Sequence, residues 1–232
     1  MQMEKIQPKF LMMEKQPESK KVVAYMYGIV GGGWFGDINA EKTREMFDNV
    51  DADEIEIHIN SNGGDAFEGI AICNYLRNHK AHITAVIDGI AASSASLIAM
   101  GADKVVMPSN TTMMVHRAST YGYGNADYLE KQAKMLRDVD DALIQSYRSR
   151  FNGEFFELEA LLDNETYMTA EKAKSYGLCD EIVDSIDNSV EGKIEEPQQV
   201  EPTAATTENE DKRTINAERA SDFMNSLLKT IK

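Results

Sequence analysis

Only two cysteines, Cys73 and Cys179, occur in the 232 residues, far apart and without a C-x-x-C spacing. That scarcity leaves no material for a disulfide framework or a thiolate zinc site, and it fits reduced thiols in a cytoplasmic protein. Neither cysteine has the context of a catalytic group. Basic residues are also in short supply, with 24 lysines and arginines against 39 aspartates and glutamates and a net charge of −15. A surface of that sign repels nucleic-acid backbones and acidic membranes, and no lysine-arginine stripe relieves it, so no nucleic-acid partner is expected. Long apolar runs are missing too. Met1 to Lys21 mixes charges, prolines and isolated apolar side chains, which makes neither a signal peptide nor a membrane span, so no membrane partner is expected. What the chain does hold is 42% hydrophobic residues, enough for the core of one good-sized domain with extensions.

The apolar pattern alternates between strand and helix periods. Val22 to Val30 reads as a strand stopped by Gly31-Gly32-Gly33, and Asn39 caps a helix over Ala40 to Asn49. Strict alternation in Ile55-Glu56-Ile57-His58-Ile59 marks a half-buried strand with His58 on its polar side. Asn60 to Gly64 reads as a sharp turn, Asp65 to His79 as a helix, and Ile83 to Ile87 as a buried strand. Strand, helix, strand, helix, strand predicts right-handed crossovers and a mostly parallel sheet, so the fold class is α/β. Short strands follow around Val105 to Met107 and Met113 to His116. Ala126 to Arg150 then places Leu129, Ala133, Leu136, Val139, Leu143 and Tyr147 on one stripe of a long helix. Thr169 to Ser175 is a short helix stopped by Gly177, and Ile182-Val183 closes the folded part. Beyond it the composition turns to Glu, Pro, Gln, Thr and Ala, a linker composition, before Ala217 to Ile231 regains helical spacing. The expected organisation is an N-terminal extension over 1–20, a folded domain over 21–187, and an acidic linker with a short helix over 188–232.

Ser93 carries the chemical interest. It follows a buried strand and opens a small-residue helix, where free amide N–H groups and the positive end of the helix dipole favour negative charge. Acyl transfer needs that environment when the attacked carbonyl oxygen becomes an oxyanion. A nucleophilic serine also requires a base, a group to orient the base, and oxyanion donors. Of the 4 histidines, His116 has the best context, at the end of an apolar strand rather than on a basic turn like His79 and His82. Two carboxylates, Asp163 and Glu165, precede the last short helix and are candidates to fix the His116 tautomer, a choice left to geometry. Gly64, after a strand and without a side chain, offers one oxyanion donor, and the amide of Ser94 offers the second.

These residues, in this order, resemble the Clp protease proteolytic subunit family, ClpP, and among its members the ClpP-like head maturation (prohead) proteases of tailed phages. The resemblance runs from Val22 to Asp184. Ile57-His58-Ile59-Asn60-Ser61-Asn62-Gly63-Gly64 is similar to the family's strand and S-P-G-G turn, and Gly89-Ile90-Ala91-Ala92-Ser93 to its G-x-A-A-S motif. Met113-Met114-Val115-His116 is similar to its histidine strand, and Ala173 to Leu178 with Asp180 to its closing helix. The family's triad aspartate falls on Glu165, the proline of S-P-G-G on Asn62, the Met-Gly after the nucleophile on Ser94-Ala95, and the Gln-Pro after the histidine on Arg117-Ala118.

The resemblance implies stacked βαβ units of the ClpP/crotonase kind with a long protruding helix. It implies a serine endopeptidase working without metal or organic cofactor, with Ser93 as nucleophile, His116 as base, Glu165 as the acid and Asp163 as its runner-up, and Gly64 and Ser94 as oxyanion donors. It further implies homo-oligomeric rings joined through the long helix, with Tyr121, Tyr123 and Tyr128 beside the substrate segment. Protein or peptide substrates follow, and as partners either a Clp ATPase in the cytoplasm or capsid and scaffold proteins inside a prohead. Two competing expectations differ in class: a crotonase-type acyl-CoA enzyme, which needs a carboxylate base and a CoA pocket, and a catalytically silent assembly subunit. A serine-lysine dyad is the third possibility for a relative, and no lysine has the context for it.

Overall fold

A computed structural model describes residues 11–15, 20–31, 37–48 and 50–184, the first of these as backbone only. They lie within residues 1–187, the first of two units into which the chain divides. The expected linker and helix beyond 188 lie outside the described residues, as does most of the expected N-terminal extension.

Among the described residues, eight strands form one mixed sheet. Strands β2 (Lys21–Val30), β3 (Glu54–Gly64) and β4 (His82–Ala92) are its parallel centre, flanked by β1 (Leu11–Lys15), which pairs antiparallel with β2. Helices α1 (Ala40–Asp48) and α2 (Ala66–Arg77) are the crossovers of the first two βαβ units. The alternation in sequence becomes a burial pattern. Val22, Ala24 and Met26, then Ile55, Ile57 and Ile59, then Ile83, Ala85 and Ile87 are buried on one face. On the opposite face Tyr25, His58 and Val86 are register partners. There His58 stacks on Tyr25 at a ring separation of 5.0 Å and pairs with Asp88 at 2.8 Å, so the imidazole expected to point to solvent is instead held in a polar cluster.

The end of the sheet departs from the sequence reading in a way that builds the site. Asn60 to Gly64, read as a turn, is the last stretch of β3. Against β2 the register shifts between Tyr27 and Ile29, which pair with Asn60 and Gly63, so β3 takes in one extra residue there, and Ser61 Oγ accepts the Gly63 N–H at 3.0 Å, so strand geometry persists through turn-forming residues. Beside it β4 runs on to Ala92, past the expected end at Ile87, and splits its partners. Thr84, Ala85 and Val86 pair with β5 (Lys104–Pro108), whereas Ile90, Ala91 and Ala92 pair with β6 (Thr112–Val115). Helix α3 (Ser94–Ala99), which joins β4 to β5, is wholly buried.

Helix α4 (Ala126–Arg148) is capped by Asn125, whose side chain accepts the Tyr128 N–H at 3.0 Å. Its C-terminal half buries Val139, Leu143, Ile144 and Tyr147, while residues 126–131 are all exposed, so the helix protrudes as expected. Three elements were absent from the sequence reading, the first being β1, within the expected N-terminal extension. Helix α5 (Phe155–Asp163) buries Leu158, Leu161 and Leu162, and its Glu157 side chain accepts the Glu154 N–H at 2.7 Å. Strand β7 (Thr166–Thr169) pairs antiparallel with β6, setting Val115 opposite Thr166. Helix α6 (Ala170–Ser175) and strand β8 (Glu181–Val183), parallel to β5, finish the described chain. No helix among the described residues is long and apolar enough to cross a membrane.

Candidate active site

Ser93 stands where β4 ends and α3 begins. Its backbone has φ 55 and ψ −128, a conformation that L-residues rarely adopt. Two anchors hold it. The Ser93 N–H donates to Met114 O at 3.0 Å, and Ser93 O accepts from Ser96 N at 3.0 Å. Such a conformation costs about 1–3 kcal/mol and persists only when the surroundings over-determine it, which is common at functional sites. Its consequence is a serine hydroxyl pushed out of the helix. Sequence placed Ser93 in the helix's first turn; it is the residue before that turn, and its side chain makes no cap hydrogen bond.

His116 is the residue after β6, the strand that pairs with the end of β4. Its Nε2 lies 2.6 Å from Ser93 Oγ, across 23 positions of sequence. That hydrogen bond gives the serine a neighbour able to take its proton, the first requirement of a nucleophile that is inert at its own pKa.

The carboxylates are placed less simply. Asp163 pairs with the Arg117 guanidinium, and that partner holds its carboxyl below the usual range. Glu165 sits between α5 and β7 with φ 46, exposed, and directly precedes Thr166, the register partner of Val115, which His116 follows. Among the described residues neither carboxylate is hydrogen-bonded to His116, whose Nδ1 has no partner. Gly64 and Ser94 both line the cleft into which Ser93 and His116 open.

That cleft has a volume of about 250 Å³. Leu97, Met135, Leu136, Val139, Leu143 and Tyr147 give it an apolar floor, and Asp65, Arg117, Ser119 and Thr120 a polar rim. An apolar recess with a few polar groups at its mouth suits a side chain of an extended peptide. Several members of this neighbourhood went unnoticed in the sequence. Asp140, buried on α4, accepts the Ala118 N–H at 2.7 Å and lies 3.8 Å from Arg117, so it fixes the segment just after His116. A signal existed: Asp140 falls on the apolar stripe of α4, between Leu136 and Leu143, where an acid needs a partner. Gly63, passed over in favour of Gly64, packs directly on the Ser93 turn. No cluster of three or more histidine, cysteine or acidic residues suited to a metal ion occurs among the described residues.

A parallel α/β sheet that presents a serine at the end of one strand and a histidine at the end of its neighbour defines a class of folds found among hydrolases. Comparison with known proteins narrows it: residues 45–186 match the family described as Clp protease. The chain is 32% identical over 134 residues to the ATP-dependent Clp protease proteolytic subunit of Deinococcus radiodurans, a match covering 56% of this chain and 65% of that protein. With ATP-dependent Clp protease proteolytic subunit 1 of Protochlamydia amoebophila it shares 30% identity over 133 residues, with coverage of 56% and 65%. Each match thus spans less than two thirds of the relative's length. The chain belongs to the Clp protease family, as its motifs led one to expect, and the mixed α/β fold with a parallel sheet agrees with that membership.

Proposed function

We propose that the chain is a serine endopeptidase in which Ser93 is the nucleophile and His116 the general base. The observation that carries this reading is the 2.6 Å hydrogen bond between His116 Nε2 and Ser93 Oγ on a strained strand-to-helix turn at the lip of an apolar cleft. Ser93 Oγ attacks the scissile carbonyl carbon as its proton passes to His116 Nε2. The amides of Gly64 and Ser94 receive the negative charge on the carbonyl oxygen, and the imidazolium returns the proton to the leaving amine. Water, deprotonated in turn by His116, releases the acyl group. Intact-mass measurement after fluorophosphonate treatment tests the reading: one adduct per chain, located at Ser93, is expected, and an unmodified chain would refute it.

Glu165 is the acid of this relay. Asp163 is committed to Arg117, whereas Glu165 directly precedes the residue paired with Val115, the chain neighbour of His116, and its longer side chain has no competing partner among the described residues. Hydrogen bonds of this kind often close only when substrate is bound. Glu165→Gln is expected to lower kcat on the order of 10² to 10⁴-fold, with Asp163→Asn far milder. The reverse ranking in a steady-state peptide assay would transfer the role to Asp163. The unpartnered His116 Nδ1 is also the observation that favours a second reading, a silent assembly subunit, which an unlabelled Ser93 in a well-folded oligomer would support.

Ring assembly belongs to the same proposal. Leu129 and Met135 on the protruding part of α4, and Tyr121 and Tyr123 just before it, are exposed, an unusual concentration of large apolar side chains for a lone subunit. Sedimentation velocity is expected to show a homo-oligomer, and Leu129→Glu with Met135→Glu to shift it toward smaller species; a monomeric wild-type chain would remove the ring. Peptides and unfolded proteins are the substrates of this proposal, and the cytoplasm its compartment, in keeping with the two buried free thiols. A Clp ATPase or capsid and scaffold proteins are the two partners it allows, separated by whether added ATPase or added prohead components bring on cleavage.

A further inference from the structure

Behind the Ser93 turn lies a pair of buried hydroxyls that the proton-transfer steps do not use. Ser96 Oγ lies 2.6 Å from Ser93 O and 2.7 Å from the Tyr147 hydroxyl. A carbonyl oxygen has no proton to give, so Ser96 spends its single hydroxyl proton on Ser93 O, and Tyr147 is the donor to Ser96. Ser96 is 0% and Tyr147 1% exposed. Burial pushes the Tyr147 phenol well above its ordinary range, so the proton this chain of bonds needs stays in place.

The geometry of Ser93 shows what such a chain is for. With φ 55 the residue is strained, and its two flanking peptide groups must both be fixed for the hydroxyl to keep its aim. The N–H side is fixed by Met114 O on β6, the strand that also carries His116 at its end. The carbonyl side is held by the N–H groups of Ser96 and Leu97, at 3.0 and 3.4 Å, and by the Ser96 hydroxyl, which alone ties it to Tyr147 on α4. We infer that Ser96 and Tyr147 are positioning residues for the nucleophile: they clamp the Ser93 carbonyl so that Oγ faces His116, and they make that aim depend on the seating of the C-terminal turn of α4. The inference rests on the serine peptidase reading.

The test compares the full-length wild type with Tyr147→Phe, Ser96→Ala and the double variant, measuring the rate of fluorophosphonate labelling, peptide kcat and KM, and the thermal midpoint. Tyr147→Phe removes one oxygen and keeps the ring that fills the core. It is expected to slow labelling about tenfold and to lower kcat with KM unchanged, at a temperature where the variant is fully folded. Ser96→Ala should match it, and the double variant should be no slower than the worse single, because both act through one link. Wild-type labelling in Tyr147→Phe, with only a lowered midpoint, would overturn the inference and leave the peptidase reading standing. So would a double variant restored to the wild-type rate, since the single defects would then come from an orphaned buried hydroxyl. A wild-type chain that never labels at Ser93 refutes the peptidase reading itself, and this inference falls with it.

Discussion

Ser93→Ala is expected to abolish fluorophosphonate labelling and to lower peptide hydrolysis on the order of 10⁶-fold, the loss typical when a serine relay is deprived of its nucleophile. The size of the effect follows from Ser93 Oγ being the one hydroxyl hydrogen-bonded to His116 among the described residues. The same substitution carries a second, independent signature. At φ 55 serine and alanine are strained alike, whereas glycine is not. Ser93→Gly is therefore expected to be as inactive as Ser93→Ala yet more stable by about 1 kcal/mol, read as a higher urea midpoint. Equal midpoints for the two variants would mean that the turn stores no strain, and residual labelling in either would place the reactive hydroxyl elsewhere.

The parts of this site visible in the sequence are those encoded locally. Ala85 to Ile87 is apolar because β4 is buried, Ser93 follows it at the start of a small-residue helix, and His116 ends another apolar run. Each signal sits within a few residues of the group it marks. What stayed hidden depends on which strand lies beside which. That β4 abandons β5 at its end and takes up β6 is what brings Ser93 to His116, and no local pattern in either strand records a change of partner. Asn60 to Gly64 misled for a related reason. Its residues prefer turns, but pairing with β2 through a one-residue bulge overrides the preference. Helix α5 escaped because its first-turn signal is Glu154 with Glu157 rather than a serine, threonine or asparagine cap, although Leu158, Leu161 and Leu162 keep helical spacing. Asp140 and Tyr147 lie on the α4 stripe that was found, but their roles arise from the loop and the turn that stripe covers.

Gly63→Ala is expected to be the most damaging substitution outside the reacting groups. Gly63 is buried with φ 91, so any side chain there meets both a backbone penalty and a wall. A Cβ would stand 2.6 Å from Ala92 O, 2.7 Å from Ser93 Cβ and 3.0 Å from Ser94 N. Two of those atoms are backbone, which cannot swing aside as the end of a flexible side chain does. The strain and the collision together are expected to remove about 3 kcal/mol or more of stability, measured by urea unfolding. Activity should suffer further, because the only relief is to push the Ala92–Ser94 turn away from β3, and that moves Ser93 Oγ from His116 and the Ser94 amide from the carbonyl oxygen it serves. A comparison separates the two losses. Gly101→Ala also drives a Cβ into backbone, at 2.8 Å from Cys73 Cα, but at the opposite end of α3 from the Ser93 turn. At temperatures where both variants are fully folded, Gly101→Ala should retain most of its labelling rate while Gly63→Ala retains little. If the two lost labelling only in proportion to unfolding, Gly63 would be a packing residue and the Ser93 turn would not depend on the end of β3.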